Sequence, residues 1–320
     1  MNDVLQQIAQ IGIVPVVRID EAETALPLAK ALLDGGLPCA EITFRTEQAE
    51  GAIRDISRKY PEMLVGAGTV LTVEQAKRAI DAGAKFIVTP GFNPKVVEHC
   101  LAAGTPITPG VSSASDIDMA LNYGIEIVKF FPAEASGGIK AIKALAAPYG
   151  KVRFMPTGGI GPGNLLDYLC FSKVLACGGS WMVDPARVAA KDFAGITVMT
   201  KEAVQLVLGL SVVHIGINAT DAEEAGDFAK SFADLLSIPY LPGNSSDFAG
   251  KLVEVMKGDA YGEKGHLAIG THSVARAMSY FERHGATFRS ESIKLDANGQ
   301  PKVAYFTKEI GGFAIHLVQK

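Results

Sequence analysis

In the apolar run CAEITFR (39–45), Glu41, Thr43 and Arg45 are spaced by two. On an extended strand all three project from one face, while Ala40, Ile42 and Phe44 project from the other. A carboxylate able to carry protons and a planar cation able to grip a carboxylate then share one wall. In IEIVKFF (125–131) the same parity groups Ile125, Ile127, Lys129 and Phe131. Apolar neighbours favour the neutral, nucleophilic form of an amine, because desolvation penalises the ammonium. Such a lysine near a carboxylate is equipped for Schiff-base chemistry: nitrogen attacks a carbonyl carbon, and Glu41 moves the protons. The bland alternative is an inert ion pair, but charges placed at strand ends favour catalysis. Thr69 offers a hydroxyl donor beside Arg45. Thr157-Gly158-Gly159-Ile160 and Gly178-Gly179-Ser180 offer backbone N–H groups suited to phosphate. The spacing Gly159-x-Gly161-x-Gly163 is no dinucleotide fingerprint, since Pro162 interrupts it.

These residues need elements that bring them together. From Ile11 to Trp181, short β-branched apolar runs alternate with segments of helical period, the pattern of βα units around a parallel sheet. Eight strand candidates begin near Ile13, Cys39, Met63, Lys85, Thr105, Ile125, Val152 and Val174. The intervening segments, such as Thr24 to Asp34 and Val73 to Ala82, carry Leu or Ala at helical spacing and end near glycine. Periodicity alone also admits a doubly wound open sheet, but eight units in so short a span favour a (β/α)8 TIM barrel over residues 1–205, with the chemical residues at its C-terminal mouth. Between residues 200 and 211 the rhythm changes. Residues 211–320 read as a smaller α+β domain of two βαβββ modules. The first has strand VVHIGIN, helix Ala222 to Leu236, then strands including KLVEVMKG. The second has HLAIGT, helix Ser273 to His284, then ATFRSESIKL, KVAYFTK and GFAIHLVQ.

A chain of 320 residues with 48% hydrophobic and 20% charged content can bury a sizeable core. Its net charge of -4 provides no basic footprint for nucleic acid or an anionic membrane, so small molecules are the expected partners. Cys39, Cys100, Cys170 and Cys177 form no CxxC pair and are expected as reduced, buried thiols. The start Met1-Asn2-Asp3 lacks a basic targeting region, and no apolar run is long enough to span a membrane, so a cytoplasmic protein is expected.

The stretches EITFRT (41–46), VGAGTV (65–70), VTPGFN (88–93), KFFPAE (129–134), PTGGI (156–160) and GGSW (178–181) resemble the KDPG/KHG aldolase family over nearly all of residues 1–205. The resemblance implies that Lys129 is the Schiff-base lysine and Glu41 the proton carrier. It implies that Arg45 and Thr69 hold the pyruvate carboxylate, and that Pro90 and Phe131 shape the pocket. Thr157 would contact the hydroxyl-bearing part of the substrate, while Gly158, Gly159, Ser180 and Arg18 would take a distal phosphate. The expected ligands are keto acids and sugar phosphates, the assembly is a homotrimer, and no cofactor is needed. A barrel isomerase or decarboxylase of phosphosugars is the competing reading. A metal- or ligand-binding protein centred on the C-terminal region is another, against which the intact Glu41, Arg45 and Lys129 stand. Residues 211–320 resemble the glyoxalase/bleomycin-resistance (vicinal oxygen chelate) family. That resemblance implies a divalent transition metal, Zn, Ni, Mn or Fe, on His214, Glu254, His266 and His316, with Tyr261 and Phe306 lining the cup.

Overall fold

Apolar runs in the first half of the computed structural model become nine short strands: β1 (Ile13–Val17), β2 (Cys39–Thr43), β3 (Leu64–Gly68), β4 (Ile87–Val88), β5 (Ile107–Thr108), β6 (Gly110–Val111), β7 (Ile127–Phe130), β8 (Arg153–Pro156) and β9 (Cys177–Gly179). Residues 2–258 and 260–320 are described, and the chain divides into two units, Met1–Val207 and Leu208–Lys320.

The first unit is an α/β fold whose strands pair in parallel, in the orders β5-β4-β3-β2-β1-β9 and β6-β7-β8. The run TPITPGV does not form one strand. Pro109 has no N–H to give to a ladder, so the run divides into β5 and β6, which belong to different sheets. Its carbonyl still accepts the backbone N–H of Lys129 at 2.9 Å. Two further bridges, Phe154 to Val174 and Thr157 to Gly178, connect the region of β8 to that of β9. Helices follow the strands with local stop and start signals. Asn93 caps Pro94–Ala102, whose first residue is a proline. Ser113 and Asp116 form a capping box on Ala114–Asn122.

The core beneath the site is dense. A Cβ on Gly66 of β3 would lie 2.3 Å from the ring of Phe86, which is fully buried. Cys39, Cys100 and Cys177 are buried free thiols, whereas Cys170 is exposed, contrary to the expectation. It lies at the end of the short helix Leu165–Leu169, past the last residue that packs inward.

The second unit contains β10 (Ser211–Ala219), β11 (Tyr240–Pro242), β12 (Ser246–Ala249), β13 (Val253–Lys257), β14 (His266–Thr271), β15 (Lys294–Leu295), β16 (Pro301–Tyr305) and β17 (Ala314–Gln319) in one sheet. The order β11-β12-β13-β10-β14-β17-β16-β15 is symmetric about the antiparallel β10–β14 pair. Each half is one βαβββ module. The helices are Ala222–Leu236, capped by Asp221, and Val274–Arg283, capped by Ser273. Ala225, Ala229 and Ala233 of the first helix pack on Val253 and Val255 of β13. The expected strand ATFRSESIKL is mostly absent: residues Ser290–Ser292 form a 3-10 turn and only Lys294–Leu295 pair as strand. The Ser292 hydroxyl donates to the Arg289 carbonyl and accepts the Tyr305 N–H, supplying locally the partners a ladder would have supplied. No helix among the described residues is long and apolar enough to cross a membrane.

Gly66→Ala should force its methyl group into the Phe86 ring and destabilise the first unit by about 1–3 kcal/mol. Denaturant titration checks this, and an unchanged midpoint would show that Phe86 yields freely.

Candidate active site and candidate metal centre

Register brings the two key charges of the first unit together. Glu41 lies on β2 opposite Gly66 of β3, and Lys129 on β7 pairs with Gly110 of β6. The Lys129 Nζ lies 3.5 Å from Glu41 Oε1, and the two side chains are only 6% and 2% exposed. That oxygen has no hydrogen-bond partner, so the ammonium is its one close electrostatic complement. Glycines make the arrangement possible. A Cβ on Gly68 would lie 2.0 Å from the same oxygen, so any side chain there would displace the carboxylate. A Cβ on Gly110 would lie 2.1 Å from the carbonyl oxygen of Pro90, which is how Pro90 reaches the backbone beside Lys129.

Above this pair the lysine Nζ sits 5.1 Å from the centre of the Phe131 ring, a cation–π distance. Arg45, just beyond β2, donates from Nε to the Thr69 hydroxyl at 3.3 Å. Thr69 holds φ at 54°, a left-handed conformation that costs a β-branched residue energy and that clusters at functional sites. A cavity of about 390 Å³ opens at these strand ends. Seven expected residues line it: Arg18, Arg45, Phe131, Thr157, Gly158, Gly159 and Ser180. Lys129, Glu41, Thr69 and Pro90 do not; the first two are buried, and Lys129 meets the lining at Phe131. The bridge between Thr157 and Gly178 places the two glycine-rich segments side by side.

Sequence reasoning overlooked Asp20 and Glu21, both in the cavity wall. Their position just past the end of β1, where a barrel presents its loops to substrate, was the available signal. Arg18 is also not free, since its Nη2 lies 2.7 Å from Asp20 Oδ1.

The family model for KDPG and KHG aldolase matches residues 4–199. The chain belongs to that family. It is an aldolase, and the isomerase and decarboxylase readings fall away. A 2-dehydro-3-deoxy-phosphogluconate aldolase from Treponema pallidum is 51% identical over 207 residues, covering 65% of this chain and 99% of the relative. The KHG/KDPG aldolase of Escherichia coli is 45% identical over 193 residues, covering 60% and 91%. Among solved structures, a KDPG aldolase from Legionella pneumophila, with pyruvate captured as a covalent carbinolamine intermediate, superposes with a TM-score of 0.61. It is 37% identical and covers 63% of this chain and 98% of its own. The aldolase match ends at residue 199, so the second unit stands on its own geometry.

In that unit the pairs Gly216–His266 and His214–Ala268 put His214 and His266 on one face of the sheet. A Cβ on Gly216 would lie 2.0 Å from the His266 ring, so this glycine makes room for the imidazole. The β14–β17 and β10–β13 ladders add His316 and Glu254. Ring nitrogens of His214, His266 and His316 lie within 4.8 Å of one another. Glu254 Oε2 is 3.2 Å from Nε2 of both His214 and His266. The other oxygen, Oε1, accepts from the Ser246 hydroxyl at 2.6 Å, a contact without a sequence signal. Burial opposes ionisation of Glu254, yet hydrogen bonds with His214, His266 and Ser246 hold its carboxyl well below the usual range. Burial first, then the neighbouring His266 and His214, push His316 down to about 3, leaving a neutral imidazole whose two nitrogens have no partner. Tyr305 stacks on His316 at 4.5 Å, and Tyr261 packs on Tyr305 at 4.8 Å. Phe306 does not line the cup. It points to the opposite face, against Phe281 and Phe288, because Tyr305 is the residue that pairs with His316.

Glu41→Gln should keep the fold but lose roughly 10²–10⁴-fold in turnover, the usual contribution of a positioned proton carrier. Steady-state pyruvate release, with circular dichroism as the folding control, measures it; unchanged turnover would place the proton transfer on another group.

Proposed function

We propose that the first unit works as a class I aldolase through an imine on Lys129, and that the buried contact between Lys129 and Glu41 carries this reading. The substrate is 2-dehydro-3-deoxy-6-phosphogluconate, cleaved reversibly to pyruvate and glyceraldehyde 3-phosphate, with 4-hydroxy-2-oxoglutarate, giving pyruvate and glyoxylate, as the sister substrate. The two parallel sheets are read as arcs of one (β/α)8 barrel. The break at Pro109 and the bridges between the β8 and β9 regions support this. The same reading includes a homotrimer and a cytoplasmic setting.

In this scheme the Lys129 nitrogen adds to the C2 carbonyl carbon of the keto acid, and Glu41 supplies the proton with which the carbinolamine hydroxyl leaves as water. The resulting iminium draws in the electron pair of the C3–C4 bond as the C4 hydroxyl gives its proton to the Glu41 carboxylate. The aldehyde departs and an enamine stays on the lysine. Glu41 then returns a proton to C3, and hydrolysis frees pyruvate. Arg45 and Thr69, already joined by a hydrogen bond, hold the keto-acid carboxylate. Pro90 and Phe131 confine the reacting carbons. Thr157 meets the hydroxyl-bearing part, while Gly158, Gly159, Ser180 and Arg18 face the distal phosphate, all five lining one cavity.

A second reading concerns the other unit, because three histidines and a carboxylate converge there and, among the described residues, neither ring nitrogen of His316 has a hydrogen-bond partner. It is a glyoxalase-like cup in which His214, Glu254, His266 and His316 hold a divalent transition ion. Three imidazole nitrogens and one carboxylate oxygen suit Zn, Ni, Mn or Fe. Such an ion would polarise an oxygen ligand bound to it.

Two experiments test these readings. Borohydride added with pyruvate should leave a reduced adduct on Lys129, located by peptide mass; an active enzyme with unmodified Lys129 would eliminate the imine. Tag-free protein should contain about one transition ion per chain, lost in the His214→Ala, His266→Ala double variant, while chelation leaves the aldolase rate unchanged. Failure to bind Zn or Ni on titration would remove the metal reading.

A further inference from the structure

The cavity wall in the first unit contains two arginines, Arg18 and Arg45. Arg45 is committed to Thr69, so Arg18 is the other cation in a wall that also includes Gly158, Gly159 and Ser180. It does not stand free. Asp20, two residues on and in the same wall, holds its Nη2 at 2.7 Å, with side chains 60% and 59% exposed. Glu21 adds a second carboxylate to this wall, and among the described residues it makes no ion pair with Arg18.

An exposed ion pair is weak and exchangeable, because water screens it and both side chains lose freedom to form it. A phosphate dianion offers the guanidinium more charge and three acceptor oxygens, so it can displace a single carboxylate. A distal hydroxyl offers neither and leaves the pair intact. Asp20 thus competes with phosphorylated substrates and not with uncharged ones. We propose that Asp20 is a specificity-determining positioning residue: acting through Arg18, it sets how strongly the aldolase prefers a distal phosphate over a distal hydroxyl. This rests on the reading of Arg18 as a phosphate contact. It goes further in giving a carboxylate, which no phosphate site needs for binding, control over that contact.

The test uses the full chain and compares KM for 2-dehydro-3-deoxy-6-phosphogluconate with KM for 2-dehydro-3-deoxygluconate, which lacks the phosphate. Asp20→Asn should lower KM for the phosphorylated substrate about two- to fivefold, the fold-change matching the strength of an exposed pair. KM for the unphosphorylated substrate should move less than twofold. Glu21→Gln removes the same charge from the same wall and should produce a clearly smaller change, while the Asp20→Asn effect should vanish in an Arg18→Ala background. The proposal is overturned if Asp20→Asn shifts neither substrate or both alike, if Glu21→Gln matches it, or if its effect survives without Arg18. Arg18→Ala separates the two levels of failure. If it leaves KM for the phosphorylated substrate unchanged, the phosphate role of Arg18 falls and the proposal with it. If it raises that KM while Asp20→Asn does nothing, the proposal alone falls.

Discussion

A lysine and a glutamate taken out of water together constrain almost everything around them. Each charge alone at that depth would be prohibitively desolvated, and even paired ions regain the cost of burial only with favourable geometry. Here the geometry is a contact at 3.5 Å with one carboxylate oxygen lacking any hydrogen bond. The site therefore holds its carboxylate incompletely satisfied, with the lysine nitrogen facing the oxygen that lacks a hydrogen bond. Neighbouring backbone is shaped to that end. Gly68 gives up its side chain so the carboxylate can lie across β3, and Pro109 uses its carbonyl to hold the Lys129 backbone while interrupting the strand. These choices weaken local structure, since glycine and proline both detract from a strand. The dense packing of residues such as Phe86 and Phe154 lies beneath them.

The second unit gathers three imidazoles around one carboxylate, and His316 is kept neutral by burial and by its histidine neighbours. Ser246 occupies one oxygen of Glu254, so the other faces His214 and His266. Orientation of a donor through its far side is a familiar requirement of metal sites. In both units a glycine on the neighbouring strand, Gly68 or Gly216, lacks the Cβ that would occupy the space the key side chain fills.

Much of this was legible in the sequence, for identifiable reasons. Period-two spacing put Glu41 and Thr43 on one strand, whereas Arg45, expected on the same strand face, lies in the turn beyond β2 and reaches Thr69 from there. Helix limits were readable where caps were explicit, as at Asp221 and Ser273. What escaped depended on register or on local competition. The sequence pattern suggested Phe306 for the cup, but the β16–β17 register turns Tyr305 inward, and a one-residue error in register exchanges the two faces of a strand. The segment 286–295 reads as strand from its composition, yet Ser292 satisfies the backbone by itself. The ion pair between Arg18 and Asp20 left no periodic trace, being formed by loop residues just past a strand.

The symmetry of the second sheet has a consequence for assembly. Each βαβββ module contributes two of the four clustered side chains: His214 and Glu254 from the first, His266 and His316 from the second. They meet because β10 and β14 join the modules edge to edge at the centre of the sheet. A solitary module would carry only two of these four side chains, and could bring the other two beside them only by pairing with a twin. Joining both modules in one chain makes that pairing internal and independent of protein concentration. Three histidines and one glutamate, two from each module, thus form a cluster that neither module holds alone.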